Sequence, residues 1–366
     1  MNILLIEPYF TGSHKSWAED IQKFSSNNIN ILSMKGQFWK WRMQGSAITL
    51  AQKFNKLKIQ PDLIIATDML DLTTFLSLTR KTSYNIPTVM YFHENQLSYP
   101  WSKKDRDFIN KEHKHYGFIN YSSALAADKV LFNSNYHKNS FLNELKLFLK
   151  RSPDHNELET IKEIKDKSKV LYIGIDLKRF DDYKNIKEGP PLILWNHRWE
   201  YDKNPEIFFK VLFDLQNKEI DYRVAILGER HNKYPSIFDE AKEKLKSKIV
   251  QFGYCNSAKE YAKWLWKADI LPVTNNQDFF GISIMEAMHC NTYPLLPNRL
   301  SYPELIPSEY HHEHIYFTED DLFNKLNLAI RNIQEIRNLT FNQIAEPYDW
   351  SRMISVYDQL LLSFIK

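Results

Sequence analysis

The chain has 366 residues, of which 43% are hydrophobic and 14% aromatic, and this is enough to build two domains with sizeable cores. Its 48 basic and 45 acidic residues give a net charge of only +3, so any face that binds a nucleic acid must arise from local clustering. No stretch approaches the ~20 apolar residues of a membrane span, and the N-terminus lacks the features of a secretory signal. We therefore expect a soluble, cytoplasmic protein without a membrane partner.

Short apolar runs alternate with helix-like runs along the whole chain, which is typical of α/β domains with parallel sheets. We predict a first domain over residues 1–183 and a second over 184–345, divided near the linker-like sequence KNIKEGPP. Residues 346–366 are predicted to form a C-terminal helix. The polar stretch 149–169 is expected to be a surface excursion, and the histidines near residue 312 are expected on the surface.

The first apolar run, NILLI, is followed by Gly12 and Ser13, which we place in a turn, and then by apolar residues at helical spacing. A strand, a glycine turn and a helix form the layout of a loop that approaches a phosphate or a substrate. The full GxGxxG pattern is absent, so an ordinary strand–helix turn is an equally good interpretation.

Aromatic and basic residues interleave in the sequence MKGQFWKWRMQ, which contains Lys35, Trp39, Lys40, Trp41 and Arg42. This pattern suits stacking on bases combined with contacts to phosphates. The alternative is that the tryptophans fill the core while the cations are solvated, since Trp is usually buried.

A run of polar residues, HENQ, begins with His93 at the end of a predicted strand, where α/β sheets bind ligands. We favour a ligand-binding histidine here over a core one. The stretch 101–115 is basic, with Lys103, Lys104 and Arg106 near its start. It is either a solvated surface helix or a face for a polyanion.

The second half restarts the α/β pattern with the strand LILW, followed by Arg198 and Lys203 just before a helix that begins near Pro205. Two cations beside a helix N-terminus predict an anion site that suits a diphosphate. In the alternative interpretation, Glu200 and Asp202 neutralise these cations.

The sequence DFFGISIMEAMHC combines an acid, a glycine and a helix that is apolar on nearly every side, with Glu286 in its middle. Such a helix is usually buried, and a buried carboxylate must be hydrogen-bonded or paired. Gly281 at the helix start leaves the first N–H groups accessible to an anion. The alternative is a core helix in which Glu286 meets a structural cation.

These motifs resemble the retaining glycosyltransferases of family 4, which have the GT-B fold of two Rossmann-like domains facing across a cleft, with a C-terminal helix that returns to the first domain. The family carries an Arg and a Lys five positions apart, matched here by Arg198 and Lys203. It also carries two acids around a Phe–Gly pair, matched by Asp278 and Glu286, with Asp in place of the usual Glu. The segment IGIDLKRF matches its domain junction.

In the first half, EPYFTGSHKSW, FWKWR, HENQLSYP, FNSNYHKNSF and, further on, WNHRWEYDKNPE resemble the tRNA-queuosine mannosyltransferase family. This resemblance implies a hexosyltransferase that moves mannose from GDP-mannose to queuosine at the wobble position of tRNA-Asp. It implies no metal, no further cofactor and no protein partner.

The resemblance also implies roles for individual residues. The expected catalytic residues are His93, Arg198, Lys203, Asp278 and Glu286. The expected donor-binding residues are Gly12, Arg198, Lys203, Gly228, Tyr254, Phe280, Gly281, Ile282 and Glu286. The candidates for tRNA contact are Lys35, Trp39, Lys40, Trp41, Arg42, Lys103, Lys104 and Arg106.

Two other functions stay open from the residues alone. A family 4 enzyme can act on a cell-surface glycan or lipid, although the 101–115 stretch lacks the clean apolar face of a membrane-surface helix. A protein with this fold can also bind nucleotide sugars or RNA without catalysis, because fold does not imply activity.

Overall fold

The structure is a computed structural model that describes residues 1–103, 105–110, 113–230 and 233–365. The elements of the first half, in chain order, are β1 (Asn2–Phe10), α1 (Gly12–Phe24), β2 (Asn28–Lys35), α2 (Trp39–Phe54), β3 (Leu63–Thr67), α3 (Leu72–Ser83), β4 (Thr88–Phe92), α4 (Arg106–Ile109), α5 (Lys114–Ala126), β5 (Lys129–Phe132), α6 (Asn135–Leu149), α7 (Thr160–Asp166) and β6 (Ser168–Val170).

The elements that follow are β7 (Leu192–Trp195), α8 (Pro205–Asn217), β8 (Arg223–Ile226), α9 (Ile237–Lys244), β9 (Ile249–Phe252), α10 (Ala258–Lys267), β10 (Ile270–Pro272), α11 (Ile282–His289), β11 (Tyr293–Pro297), α12 (Tyr302–Leu305), α13 (His311–His314), β12 (Ile315–Tyr316), α14 (Glu319–Arg331), α15 (Ile333–Arg337), α16 (Asn342–Ala345) and α17 (Trp350–Leu362). Short 3₁₀ turns lie at Lys178–Tyr183, Tyr201–Lys203, Ser308–Tyr310 and Glu346–Tyr348.

The chain forms two compact units. The first contains residues 1–175 and the C-terminal segment that begins at Trp350, and the second contains Asp176–Asp349. The division therefore falls a few residues before the position predicted from the linker-like sequence.

The first unit is built on a parallel sheet with strand order β2-β1-β3-β4-β5-β6. Strands β3 and β4 are buried at every position, which is typical of parallel strands covered on both faces. The C-terminal helix α17 belongs to this unit, as predicted. The Tyr357 hydroxyl accepts a hydrogen bond from Trp17 Nε1 at 3.1 Å and donates to the Tyr172 carbonyl at 2.8 Å.

The second unit is built on a parallel sheet with strand order β12-β11-β10-β7-β8-β9. Aromatic side chains dominate its core beside β7. The rings of Trp199 and Phe238 stack at a centroid distance of 4.2 Å, and Trp195 packs edge-on against Phe238 at 5.6 Å. These buried anchors fix the loop that carries the predicted cations.

Two local expectations are wrong. The 149–169 stretch contains α7 and the start of β6, and it packs on the first core because Ile164 is fully buried there and Leu158 and Ile161 pack against the same core. In the histidine cluster, His314 is buried, and its Nδ1 lies 2.8 Å from the Pro294 carbonyl oxygen.

Candidate functional site

Lys203 links the loop after β7 to the loop after β10. It is 7% exposed, and its Nζ lies 2.7 Å from the Gln277 carbonyl oxygen, 3.0 Å from Asp278 Oδ1 and 3.2 Å from Asp202 Oδ2. An ammonium group has three N–H donors, so these three oxygens can accept all of them. Lys203 is therefore a buried charge that two carboxylates balance.

Asp278 is the centre of this network. Its second oxygen accepts hydrogen bonds from Asn275 Nδ2 and from the Tyr302 hydroxyl, each at 2.7 Å. Burial by itself raises the pKa of Asp278, but the Lys203 ammonium, the nearby His197 and these two donors together hold the pKa below its usual value. Asp278 is thus ionised at neutral pH.

Arg198 differs from Lys203 in its exposure. Its side chain is 49% exposed, and Nη2 lies 3.3 Å from Glu200 Oε2. Both predicted cations therefore have acidic neighbours, as the alternative interpretation expected. Because a half-exposed pair is weak, Arg198 can exchange Glu200 for a ligand phosphate at little cost.

Glu286 lies in the buried face of α11 and is hydrogen-bonded, as its position required. Oε1 accepts from Arg179 Nη2 at 2.6 Å, and Oε2 accepts from the Tyr261 hydroxyl at 2.8 Å. Burial raises the pKa of Glu286 above its usual value, although Arg179 and Tyr261 act in the opposite direction. Each carboxylate oxygen keeps further acceptor capacity, so a ligand hydroxyl can still bind.

Gly281 caps the N-terminus of α11 in the left-handed region, with φ of +107°. A Cβ at this position would lie 3.1 Å from Ile284 Cδ1 and 3.4 Å from Tyr302 Cε1, so both the conformation and the space favour glycine. Phe280 beside it is buried, and Ile282 is partly exposed. The first N–H groups of α11 are positioned to favour an anion.

The same loops carry buried polar atoms that were not predicted from the sequence. Buried side-chain atoms without a hydrogen-bond partner among the described residues include Asn196 Oδ1, His197 Nε2, Asn275 Oδ1 and Gln277 Nε2. Buried polar groups are usually paired, so this clustering indicates a ligand that supplies the missing partners. The signal in the sequence was the polar pair that directly follows the buried strand β7.

Two glycines follow β8 and β9, at the strand ends where Gly228 and Tyr254 are predicted to bind the donor. At Gly228, with φ of +102°, a Cβ would meet the His197 carbonyl oxygen at 1.9 Å, so this glycine is required by close backbone packing. Gly253 has φ of +115° with no atom within 4 Å of an added Cβ, and Tyr254 next to it is 68% exposed. An exposed tyrosine is available to stack on a base.

In the first unit, His93 follows β4 as predicted and is 8% exposed. Its ring lies 4.4 Å from the His14 ring and packs edge-on against Trp17 and Tyr91 at 4.7 and 4.9 Å. The His93 amide donates to Asp68 Oδ1 at 2.8 Å, whereas Nε2 has no partner among the described residues. Burial lowers the pKa of His93 well below its usual value, so the ring is neutral.

Three residues around His93 were not singled out from the sequence, namely Glu7, His14 and Asp68. Burial by itself lowers the pKa of His14, but the Glu7 carboxylate, 3.1 Å from Nδ1, acts with Asp68 and Glu94 in the opposite direction, and the pKa rises to about 9. Burial also raises the pKa of Asp68 to about 8. Side-chain ligand atoms of Glu7, His14 and His93 lie within 4.8 Å of one another, close enough to share a metal ion.

Gly12 is not in a separate turn but is the first residue of α1, with φ of +52°. A Cβ added there would meet no atom within 4 Å, so only the backbone conformation restricts the position. That a ligand approaches the backbone at Gly12 stays a prediction.

The aromatic and basic segment divides between core and surface. Trp39 is partly buried against Trp101 and Tyr116, with ring centroids at 5.6 and 5.3 Å, so the core interpretation holds for this residue. Trp41 is 62% exposed, and Phe38, which is not among the predicted residues, is 76% exposed with φ of +55°. A pair of exposed aromatic rings is a surface on which bases can stack.

The candidate cations also differ from one another. Lys40 Nζ lies 2.6 Å from Asp105 Oδ1 and 2.8 Å from Asp107 Oδ2, so acidic side chains largely balance its charge. Arg42 Nε donates to the Lys35 carbonyl at 3.1 Å, and the Lys35 side chain is exposed.

Of the candidates in the basic stretch, Lys103 and Arg106 are exposed. Lys104 lies outside the described residues. The stretch is not a continuous surface helix, because α4 ends at Ile109 and α5 begins at Lys114.

Residues 2–175 match the family model of the tRNA-queuosine alpha-mannosyltransferase N-terminal domain, and residues 178–342 match the glycosyl transferases group 1 model. A tRNA-queuosine alpha-mannosyltransferase of Drosophila melanogaster is 35% identical over 341 residues, which cover 89% of this chain and 86% of the relative. The chain belongs to the tRNA-queuosine alpha-mannosyltransferase family. A probable sucrose-phosphate synthase of Thermosipho melanesiensis is 27% identical over 57% of this chain and 50% of that relative.

Solved structures confirm the GT-B fold that the resemblance implied for this family member. HepE of Anabaena in complex with UDP has a TM-score of 0.68 at 16% identity and covers 99% of this chain and 100% of its own. Sucrose-phosphate synthase of Thermosynechococcus elongatus has a TM-score of 0.71 at 14% identity, with coverage of 99% and 100%. The group 1 domain and the mannosyltransferase relative establish that the chain is a glycosyltransferase. Among the described residues, the helices are too short or too polar to cross a membrane.

Proposed function

We propose that this chain is a retaining mannosyltransferase that transfers mannose from GDP-mannose to queuosine at the wobble position of tRNA-Asp. The observation that carries the proposal is that the Drosophila melanogaster tRNA-queuosine alpha-mannosyltransferase is similar over both halves of the chain. The second unit also carries Arg198, Lys203, Asp278 and Glu286, which the resemblance assigned to catalysis, in the loops after β7 and β10 and in α11.

In this proposal, the second unit stabilises the diphosphate that leaves as the sugar is transferred. Arg198 contacts the phosphates directly, because its half-exposed side chain can turn to a ligand. Lys203 supplies positive charge from a fixed position. The first amides of α11, at Ile282 and the residue after it, add donors whose geometry needs no rearrangement.

The remaining donor contacts follow from the same loops. Asp278 accepts hydrogen bonds from hydroxyls of the transferred sugar, and Glu286 accepts them from the ribose. Tyr254 and the glycines after β8 and β9 face the base. Fixed cations and helix amides take the place of a metal at the diphosphate, so we propose transfer without one.

The tRNA surface is proposed to lie in the first unit, around the exposed part of the Lys35–Arg42 segment. Trp41 and Phe38 supply stacking, while Lys35 and Arg42 contact phosphates. Replacement of Lys40 and Arg42 by Ala weakens tRNA binding and flattens its salt dependence, with the larger share due to Arg42 because Lys40 is already paired. Binding that is unchanged across salt concentrations contradicts this surface.

The proposal is tested by measuring GDP release from GDP-mannose in the presence of two matched tRNA-Asp samples, one with queuosine and one with unmodified guanosine at the wobble position. We expect release that depends on queuosine and continues without added metal ions. Release that is equal with both samples, or that requires a glycan or lipid acceptor, contradicts the proposed acceptor.

A further inference from the structure

Asn196 and His197, which follow β7, both contact Ser283 in the first turn of α11. Asn196 Nδ2 donates to the Ser283 carbonyl at 2.8 Å, and His197 Nδ1 lies 3.3 Å from Ser283 Oγ. The exposed fractions of Asn196 and His197 are 7% and 4%. Asn196 thus contacts the backbone of Ser283, and His197 contacts its hydroxyl. Each of these two side chains uses only one of its polar atoms for the contact with Ser283.

The other polar atoms of these side chains, Asn196 Oδ1 and His197 Nε2, are buried without a partner among the described residues. Each missing partner costs on the order of 1–3 kcal/mol in a folded protein unless a ligand or water provides it. The unpaired atoms lie on side chains that touch the N-terminal turn of α11, the same turn that offers free amides to an anion. The cluster therefore offers polar groups for an oxygen-rich ligand.

The charge of His197 determines what it can offer. Burial lowers the pKa of His197 to about 4, with Lys203 acting in the same direction and Asp278 and Asp202 acting against it. The imidazole is therefore neutral at pH 7, with one nitrogen that donates and one that accepts. If the Ser283 hydroxyl donates to Nδ1, the proton of the ring must sit on Nε2.

We propose that His197 is a donor-binding residue whose Nε2–H donates a hydrogen bond to a phosphate oxygen of the nucleotide sugar, in a tautomer that Ser283 fixes. This inference rests on the proposed function and adds to it a neutral donor beside the two cations. A neutral ring beside Lys203 and Arg198 adds a directed hydrogen bond without adding charge repulsion. Asn196 Oδ1 is left to accept from a hydroxyl of the same ligand.

The test measures the affinity of the full chain for GDP and for GMP by calorimetry. We expect His197→Ala to weaken GDP binding about 10-fold or more, since hydrogen bonds to charged groups are worth ~1.5–3 kcal/mol and 1.4 kcal/mol is a factor of ten. The loss for GMP is smaller if the contact is to the terminal phosphate of the diphosphate. His197→Gln, which retains an N–H at similar reach, recovers part of the affinity, and Ser283→Ala gives an intermediate loss.

His314 provides a matched control in the same unit. It is also buried, at 3% exposed, but its Nδ1 faces the Pro294 carbonyl, so it must carry its proton on Nδ1. His314→Ala is expected to lower thermal stability without changing the ratio of GDP to GMP affinity. Long-range ¹⁵N–¹H spectra should show opposite tautomers for the two rings, with the His197 proton on Nε2.

Three results overturn the inference in distinguishable ways. If the wild type does not bind GDP, both the proposed donor and this inference fail. If the wild type binds GDP and His197→Ala binds it equally well, only the inference fails. If the spectra place the His197 proton on Nδ1, Nε2 cannot donate to a phosphate and the inference fails even where affinity falls.

Discussion

Replacement of Lys203 by Met should lower the thermal stability of the second unit, because Lys203 is a buried charge. The variant keeps the length of the side chain but removes the ammonium, so Asp278 and Asp202 lose the cation that lies 3.0 and 3.2 Å away. Breaking one partner of a buried ion pair costs about 3–5 kcal/mol because the other charge is left uncompensated. For a unit of this size, about 3 kcal/mol corresponds to a fall of about 6 °C or more in Tm.

The assay is differential scanning calorimetry of the full chain with Arg198→Met as the matched control. Arg198 is half-exposed with Glu200 at 3.3 Å, so its loss should cost less than about 1 kcal/mol of stability. The double variant Lys203→Met with Asp278→Asn should recover part of the lost stability, since it removes one uncompensated carboxylate. A Tm for Lys203→Met within the range of the Arg198 control would refute the reasoning that Lys203 is a fully engaged buried charge.

Three further predictions follow from the same contacts. The His14–Glu7 pair supplies stability that is present below pH ~6.5 and is lost as pH rises towards 9, since the pKa of His14 in the folded protein lies above its ordinary value. Glu7→Gln should make this loss of stability smaller in melting curves measured across pH. Glu286→Gln should raise the KM for the donor about 10-fold, as measured by initial rates. An unchanged KM would show that Glu286 has only a structural role. Trp41→Ala should weaken tRNA binding by ~1–3 kcal/mol in filter assays without lowering Tm, whereas Trp39→Ala should mainly lower Tm.

The sequence predicted helix boundaries well where several local signals agreed. Helix α10 spans Ala258–Lys267, and the Ser257 side chain caps it by accepting from the Glu260 amide at 3.1 Å. Helix α8 begins at Pro205, where proline suits the first turn. Helix α7 was missed in the 149–169 stretch, because the apolar residues Leu158, Ile161 and Ile164 recur at helical spacing but are few and separated by charged residues.

The partners within the site were beyond the reach of the sequence. The sequence predicted that a buried carboxylate at Glu286 needs a partner. It did not identify Arg179, 107 residues earlier, because long-range pairing depends on the assembled sheet. Similarly, the spacing of Trp39 and Trp41 gave no indication of which ring faces the core. The cluster around His93 could not be predicted for the same reason, since Glu7 lies in β1 and Asp68 follows β3, and only the parallel strand order brings these positions together.

The central claim, that mannose is transferred to queuosine in tRNA, is tested most directly by mass spectrometry of nucleosides. Queuosine-containing tRNA-Asp is incubated with the chain and GDP-mannose, digested to nucleosides and analysed beside a reaction with Arg198→Ala. We predict queuosine whose mass has increased by one hexose, with the product greatly reduced for the variant. Queuosine of unchanged mass, in a reaction where GDP-mannose is bound or hydrolysed, would contradict the claim.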